Sequence, residues 1–223
     1  MNKVLALALV LAFGNLGVAQ EIVPPSVGQG LEDGSLLERL RSGGLVIVFR
    51  HGKTGENPDV PNAVSQGGTY DSAKERQAAY FDCARQRNLS DEGREELRAV
   101  AAAISRIGLV VDEVLSSPMC RTRETAWLLF GQVTPNDALI GPVEHSETDS
   151  LAGAIPADGG NRVLVTHGGV VTNIVWRSDI PTVAGLTPEG YGFVLEPHGN
   201  DEYHLVARLG PDDWLRLADL AQH

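Results

Sequence analysis

Leu45-Val46-Ile47-Val48-Phe49-Arg50-His51-Gly52 is the stretch of sequence that decides the fold. Its five apolar residues run without a polar interruption, and Val46, Ile47 and Val48 are β-branched. A strand with one wet face would alternate polar and apolar side chains, so this run predicts a strand buried on both faces. Such strands belong to sheets covered by helices on either side. A cation, an imidazole and a glycine follow at once, at the C-terminal end of the strand, where open α/β sheets place their ligands.

The same arrangement recurs twice. Val111–Leu115 is a second buried strand, followed by Ser116-Ser117-Pro118-Met119-Cys120-Arg121; Arg162–Thr166 is another, followed by His167-Gly168-Gly169. Helices are predicted between and around them. Ser35–Arg41 is stopped by Gly43-Gly44. Ser90–Ile107 is capped by Ser90, with Asp91 and Glu92 facing the positive end of the helix dipole. Leu97, Val100, Ala101, Ile104 and Ile107 form its apolar face. Thr122–Phe130, Val170–Trp176 and Asp212–Leu220 complete the helices, and Gly192–Glu196 and Glu202–Leu209 form a late pair of strands. Gly52–Tyr70 is polar and rich in Gly, Pro and Asn, as a long loop beside a ligand site would be. Strands that alternate with helices predict an α/β domain with a largely parallel sheet.

The chain has 223 residues, 43% of them apolar, enough for a substantial core. Eighteen basic against twenty-nine acidic side chains give a net charge of −11. That balance argues against nucleic acid or an anionic membrane as partner, because both demand a basic surface. A phosphate site here must be a local positive island. Met1-Asn2-Lys3 and the apolar run Val4–Phe13 read as a signal peptide, since the run is too short for a bilayer, which needs roughly 20 residues. Gly17 and Ala19 suit cleavage before Gln20. The expected organisation is therefore a signal peptide over 1–19, a tether over 20–34 rich in Pro and Gly, and one domain over 35–223. Export to the periplasm or the medium follows, with no membrane attachment of the mature form. In an exported chain the two cysteines, Cys83 and Cys120, are expected to pair.

Arg50-His51-Gly52-Lys53-Thr54 resembles the R-H-G-x-T motif of the histidine phosphatase superfamily, which includes the phosphoglycerate mutases. Leu89-Ser90-Asp91-Glu92-Gly93-Arg94 resembles its L-S-x-x-G-R helix start. Ser116-Ser117-Pro118-Met119-Cys120-Arg121, running on to Thr125-Ala126, resembles its S-S-P-x-x-R-x-x-x-T-A stretch. Val165-Thr166-His167-Gly168-Gly169 resembles its second histidine motif. The four come in the family's order and span Leu45 to about Trp176. The resemblance implies a phosphoglycerate mutase-like three-layer α/β/α sandwich with a mostly parallel sheet. It implies His51 as a nucleophile that becomes a phosphohistidine, and Arg50, Arg121 and His167 as holders of the phosphoryl oxygens, with Thr54 a further substrate contact.

Those residue types suit the chemistry. Phosphoryl transfer spreads charge over three equatorial oxygens, so catalysis is mostly positioning and charge stabilisation. Guanidinium groups give planar, permanently charged, two-pronged donors. Neutral imidazole attacks phosphorus well and departs from it well, splitting one hard displacement into two. Two arginines and a second histidine already supply positive charge, so neither metal nor cofactor is expected, and no metal-ligand spacing stands out. Competing motifs fail. Gly52-Lys53-Thr54 would end a P-loop only with glycine at position 47, which is Ile47. The positions six residues after the cysteines are Leu89 and Ala126, not the arginine that cysteine-dependent phosphatases place there.

The proton donor to the leaving group is less plainly marked. Some family members carry Asp directly after the second histidine, where this chain has Gly168; in others a glutamate follows the second arginine by some twenty-odd residues. Glu144 fits that position, with Glu147 as its rival. The fuller glutamate-glycine motif of the mutases is missing here. The expected activity is thus hydrolysis of a phosphomonoester, the partner being a phosphorylated small molecule whose identity no motif encodes. A catalytically inactive exported relative that binds a phosphorylated ligand is the alternative, and a phosphomutase a more remote one.

Overall fold

In a computed structural model, residues 32–55, 72–141, 145–177 and 187–222 are described. The expected signal peptide, nearly all of the tether and most of the Gly52–Tyr70 loop lie outside them. The elements run α1 (Asp33–Ser42), β1 (Val46–Arg50), α2 (Ala73–Phe81), a 3-10 turn (Cys83–Arg85), α3 (Asp91–Ile107), β2 (Val111–Ser116), α4 (Cys120–Phe130), β3 (Thr134–Pro135), α5 (His145–Gly153), β4 (Asn161–Thr166), α6 (Gly168–Arg177), β5 (Gly192–Gly199), β6 (Glu202–Leu209) and α7 (Pro211–Leu220). A further 3-10 turn, Asp137–Leu139, precedes α5.

Six strands form one sheet in the order β3-β2-β4-β1-β5-β6. The first four are mutually parallel, β5 runs antiparallel to β1, and β6 antiparallel to β5. The sheet is therefore mostly parallel, as expected. The continuous apolar run in β1 has its predicted consequence. Ile47 and Phe49 join Val163 and Val165 on one face, packed with side chains of α1, α3, α4 and α7. Val46 and Val48 join Leu164 on the other, packed with α5 and α6. Two apolar clusters separated by a sheet make three layers, and each fully buried aliphatic or aromatic side chain contributes about 1.5–3 kcal/mol. Trp214 of α7 stacks on Phe49 at 5.7 Å between ring centroids, which anchors the last helix to the central strand.

The predicted elements are found within a few residues of their expected ends. Ser90 caps α3, its hydroxyl accepting from the Gly93 N–H at 3.0 Å. The buried face of α3 contains Ala103 where Ala101 was expected; Ala101 is partly buried beside it. Two helices went unpredicted. Neither Ala73–Phe81 nor His145–Gly153 carries an apolar stripe long enough to reveal its period.

The loop that carries His51 is stitched to the start of α3. Ser90 N–H donates to the Lys53 carbonyl at 3.0 Å, Gly55 N–H donates to the Asn88 carbonyl at 3.1 Å, and Thr54 and Leu89 form an isolated bridge. Gly93 makes this docking possible, because a Cβ there would lie 2.3 Å from the Lys53 carbonyl oxygen. Gly93→Ala thus sets two effects against each other. Alanine favours a helix by roughly 0.5–1 kcal/mol, while overpacking costs about 1–3 kcal/mol. A clash with backbone, which cannot swing away, should win: chemical denaturation should show Gly93→Ala less stable than wild type, and a more stable variant would refute the docking.

Candidate active site

The C-terminal ends of β1, β2 and β4 lie side by side, and each delivers part of one cluster. β1 ends at Arg50, and the His51 N–H donates to the Thr166 carbonyl at the end of β4 at 3.0 Å. The Gly52 N–H donates to Thr125 Oγ1 at 3.0 Å, and that hydroxyl donates in turn to the Arg121 carbonyl at 2.7 Å. Thr125 therefore ties the His51 loop to the first turn of α4, which carries Arg121. Both α4 and α6 begin beside the cluster, so their N-terminal dipoles add positive potential.

Arg121 is 5% exposed and donates from Nη2 to His167 Nδ1 at 3.0 Å. A guanidinium has no acceptor, so His167 Nδ1 must accept. The proton of neutral His167 is then on Nε2, which donates to Ser117 Oγ at 2.9 Å. His51, 2% exposed, has Nδ1 2.9 Å from the Gly52 carbonyl oxygen. A carbonyl only accepts, so His51 bears its proton on Nδ1 and keeps a lone pair on Nε2. The two imidazoles meet edge to face at 5.5 Å.

Electrostatics hold both rings neutral. Burial, then the charge of Arg121, push the His51 pKa down to about 3, against the pull of its bond to Gly52. Burial and Arg121 likewise hold His167 well below the usual histidine value. Arg121 is lowered to about 10, chiefly by burial and then by Arg87, and so stays charged at neutral pH. Among the described residues its Nε and Nη1 have no hydrogen-bond partner, nor do the buried Nε atoms of Arg50 and Arg87. Unpartnered buried donors are costly unless an acceptor meets them, and several guanidinium donors side by side suit an oxyanion.

Four of the expected site residues, Arg50, His51, Arg121 and His167, thus come together. Thr54 lies beside them, its N–H and hydroxyl both donating to Glu189 at 3.0 and 3.1 Å. Glu144 lies outside the described residues. Glu147 is in the first turn of α5, where it lines a groove with Asn136, Leu151 and Arg162. The expected disulfide is present: Cys83 and Cys120 bridge the 3-10 turn to the start of α4. Gln86 reinforces that junction, its Oε1 accepting from the Cys120 N–H at 2.8 Å.

Two charged residues of the cluster went unmarked in the sequence. Arg87 lies 3.5 Å from Glu189 and lowers the pKa values of Arg50, His51 and Arg121 by its charge. Glu189, in the turn before β5, ion-pairs with Arg50 at 3.2 Å. Arg87 stands two residues before the Leu89-Ser90 helix start, a position that could have drawn notice. Glu189 reaches the cluster because β5 pairs with β1, and nothing local in the sequence signals that.

The chain is an α/β/α sandwich with an arginine-rich cluster at the C-terminal ends of its parallel strands. The sequence model described as histidine phosphatase superfamily (branch 1) matches residues 46–140, which include Arg50, His51 and Arg121. Over this segment, which is less than half of the chain, the sequence is similar to that family. No curated protein matches it in sequence. Among solved structures it is similar to the protein histidine phosphatase SixA complexed with tungstate, with a TM-score of 0.57 and 13% identity over 76% of this chain and 98% of that one. It is also similar to a phosphohistidine phosphatase SixA, so described as putative, from Nakamurella multipartitia: TM-score 0.50 and 18% identity over 75% and 95% of the two chains. At these identities the likeness establishes the fold. Among the described residues, no group of three or more His, Cys, Asp or Glu side chains is arranged to hold a metal, and no helix is long and apolar enough to cross a membrane.

An unfolded histidine ionises near pH 6.5, whereas His51 in the fold does so only near 3. Unfolding therefore takes up a proton in this window, and the contribution of His51 to stability falls as pH drops from about 6.5 towards 3. Nitrogen-15 spectra of the imidazoles at pH 5 should show His51 neutral and protonated on Nδ1, and His167 neutral and protonated on Nε2. An imidazolium signal from His51 at that pH, or the same tautomer for both rings, would contradict the arrangement.

Proposed function

We propose that this chain is a phosphomonoester hydrolase that works through a phosphohistidine at His51. One observation supports this above the rest: a buried neutral histidine is protonated on Nδ1, which puts its lone pair on Nε2, next to a buried arginine with two donors that have no partner among the described residues. A protein that merely binds a phosphorylated ligand has no need to set the tautomer of a nucleophile.

In the reading we favour, His51 Nε2 attacks phosphorus and the ester P–O bond breaks. The leaving oxygen takes a proton from a general acid, for which Glu144 is the candidate. Arg50, Arg121 and His167 hold the three non-bridging oxygens, His167 by turning its Nε2–H from Ser117 Oγ to the phosphoryl group. Water then attacks the phosphohistidine, the P–N bond breaks, and orthophosphate leaves. The Gly52 carbonyl stabilises the positive charge that develops on the ring, because the Nδ1–H it accepts becomes more acidic once Nε2 bonds to phosphorus. Thr54 acts here through Glu189. The substrate is a phosphorylated small molecule, and the protein works in the periplasm or outside the cell. The Val4–Phe13 run and the disulfide are in keeping with that location.

The two histidines should fail differently. Hydrolysis of p-nitrophenyl phosphate, measured in the presence of a chelator, should fall to background in His51→Ala. In His167→Ala it should fall by about 10²–10³-fold, as when one charge-stabilising donor is lost. Turnover by His51→Ala comparable to wild type would overturn the proposal.

A further inference from the structure

Glu189 sits where four parts of the site meet. Its Oε2 accepts from the Thr54 N–H at 3.0 Å, and its Oε1 accepts from Thr54 Oγ1 at 3.1 Å and Arg50 Nη2 at 3.2 Å. Arg87 Nη2 is 3.5 Å from Oε1, and His51 Nδ1 is 4.0 Å from it. Glu189 thus borders the Nδ1 edge of His51, not the Nε2 that attacks phosphorus. A proton donor to the leaving group would stand on the other side. Among the described residues it is the carboxylate that ion-pairs with the arginines of this site.

A single negative charge amid three guanidinium groups has a definite electrostatic effect. Unit charges a few ångströms apart interact several times more strongly at a partly buried site than in bulk water. Glu189 therefore lowers the positive potential felt by any phosphate held there. A phosphatase ends each cycle with orthophosphate, a dianion above its second ionisation, against the same arginines. Three uncompensated guanidinium groups would retain that product. Release, not chemistry, limits many enzymes, so the site gains from a counter-charge that also keeps Arg50 and Arg87 oriented.

We propose that Glu189 is a positioning residue that sets the strength with which the arginine cluster holds phosphate, weakening it enough for orthophosphate to leave. The inference rests on the phosphatase reading above. It makes a signed claim that a scaffolding role does not. Removing a mere support would loosen the arginines and weaken phosphate binding. Removing a counter-charge should tighten it.

Calorimetric titration of orthophosphate at fixed pH and ionic strength, on wild type, Glu189→Gln and Arg121→Ala, tests this. Glu189→Gln should bind orthophosphate at least about fivefold more tightly than wild type, and its kcat and KM for a phosphomonoester should both fall. The isosteric pair Glu189→Asp and Glu189→Asn, which differ only in charge, should show the same direction and serves if Glu189→Gln does not fold. Unchanged or weaker binding in the uncharged variants would overturn the role of Glu189 and leave the phosphatase reading standing. Wild type that binds no more tightly than Arg121→Ala would remove the phosphate site itself, and both readings with it.

Discussion

The hydrogen bond from Arg121 to His167 Nδ1 is the constraint on which the rest of the site depends. A guanidinium cannot be deprotonated cheaply, so burying Arg121 places a fixed positive charge beside two imidazoles that would otherwise be part ionised near neutral pH. The loss of water, and then that charge, drive both rings neutral. Each ring then has one proton, and its backbone or side-chain partner decides where. Gly52 takes the proton side of His51, and Arg121 takes the lone-pair side of His167. Two residues of the same type thereby present opposite Nε2 atoms, a lone pair on His51 and a proton on His167.

Such a site is unfavourable on its own, because buried cations and unpartnered donors oppose folding. The scaffold offsets this cost by being built around it. Strand β1 and the C-terminal halves of β2 and β4 are buried and apolar on both faces, and their paired ends fix the backbone of His51, Ser117 and His167. Thr125, Gln86 and the Cys83–Cys120 bridge hold the first turn of α4 against the loops around it. The protein as a whole has a net charge of −11, so the positive island is a local feature that total charge does not reveal.

The strands and the main helices were legible because each is stabilised by a pattern contained in its own residues. The unbroken run Leu45–Phe49 needs two covered faces, and Ser90 with Asp91 and Glu92 needs a helix behind it. Arg50, His51, Arg121 and His167 were legible because they stand at the ends of such patterns. The helices α2 and α5 depend on packing that their short, polar sequences do not encode. Glu189 was illegible for a different reason. Its neighbours, Arg50, Thr54 and Arg87, are brought to it by the antiparallel pairing of β5 with β1, a choice made by the whole sheet. A polar turn with one glutamate has no local mark of that partnership.

The central claim is that phosphorus becomes bonded to His51 Nε2 in the course of turnover. Rapid mixing with a phosphomonoester labelled in the phosphoryl group, quenching in alkali and peptide mapping addresses it directly, because a phosphohistidine survives base and is lost in acid. Base-stable, acid-labile label is expected on the peptide containing His51, and none in His51→Ala. Label on any other residue, or label that persists in that variant, would contradict it.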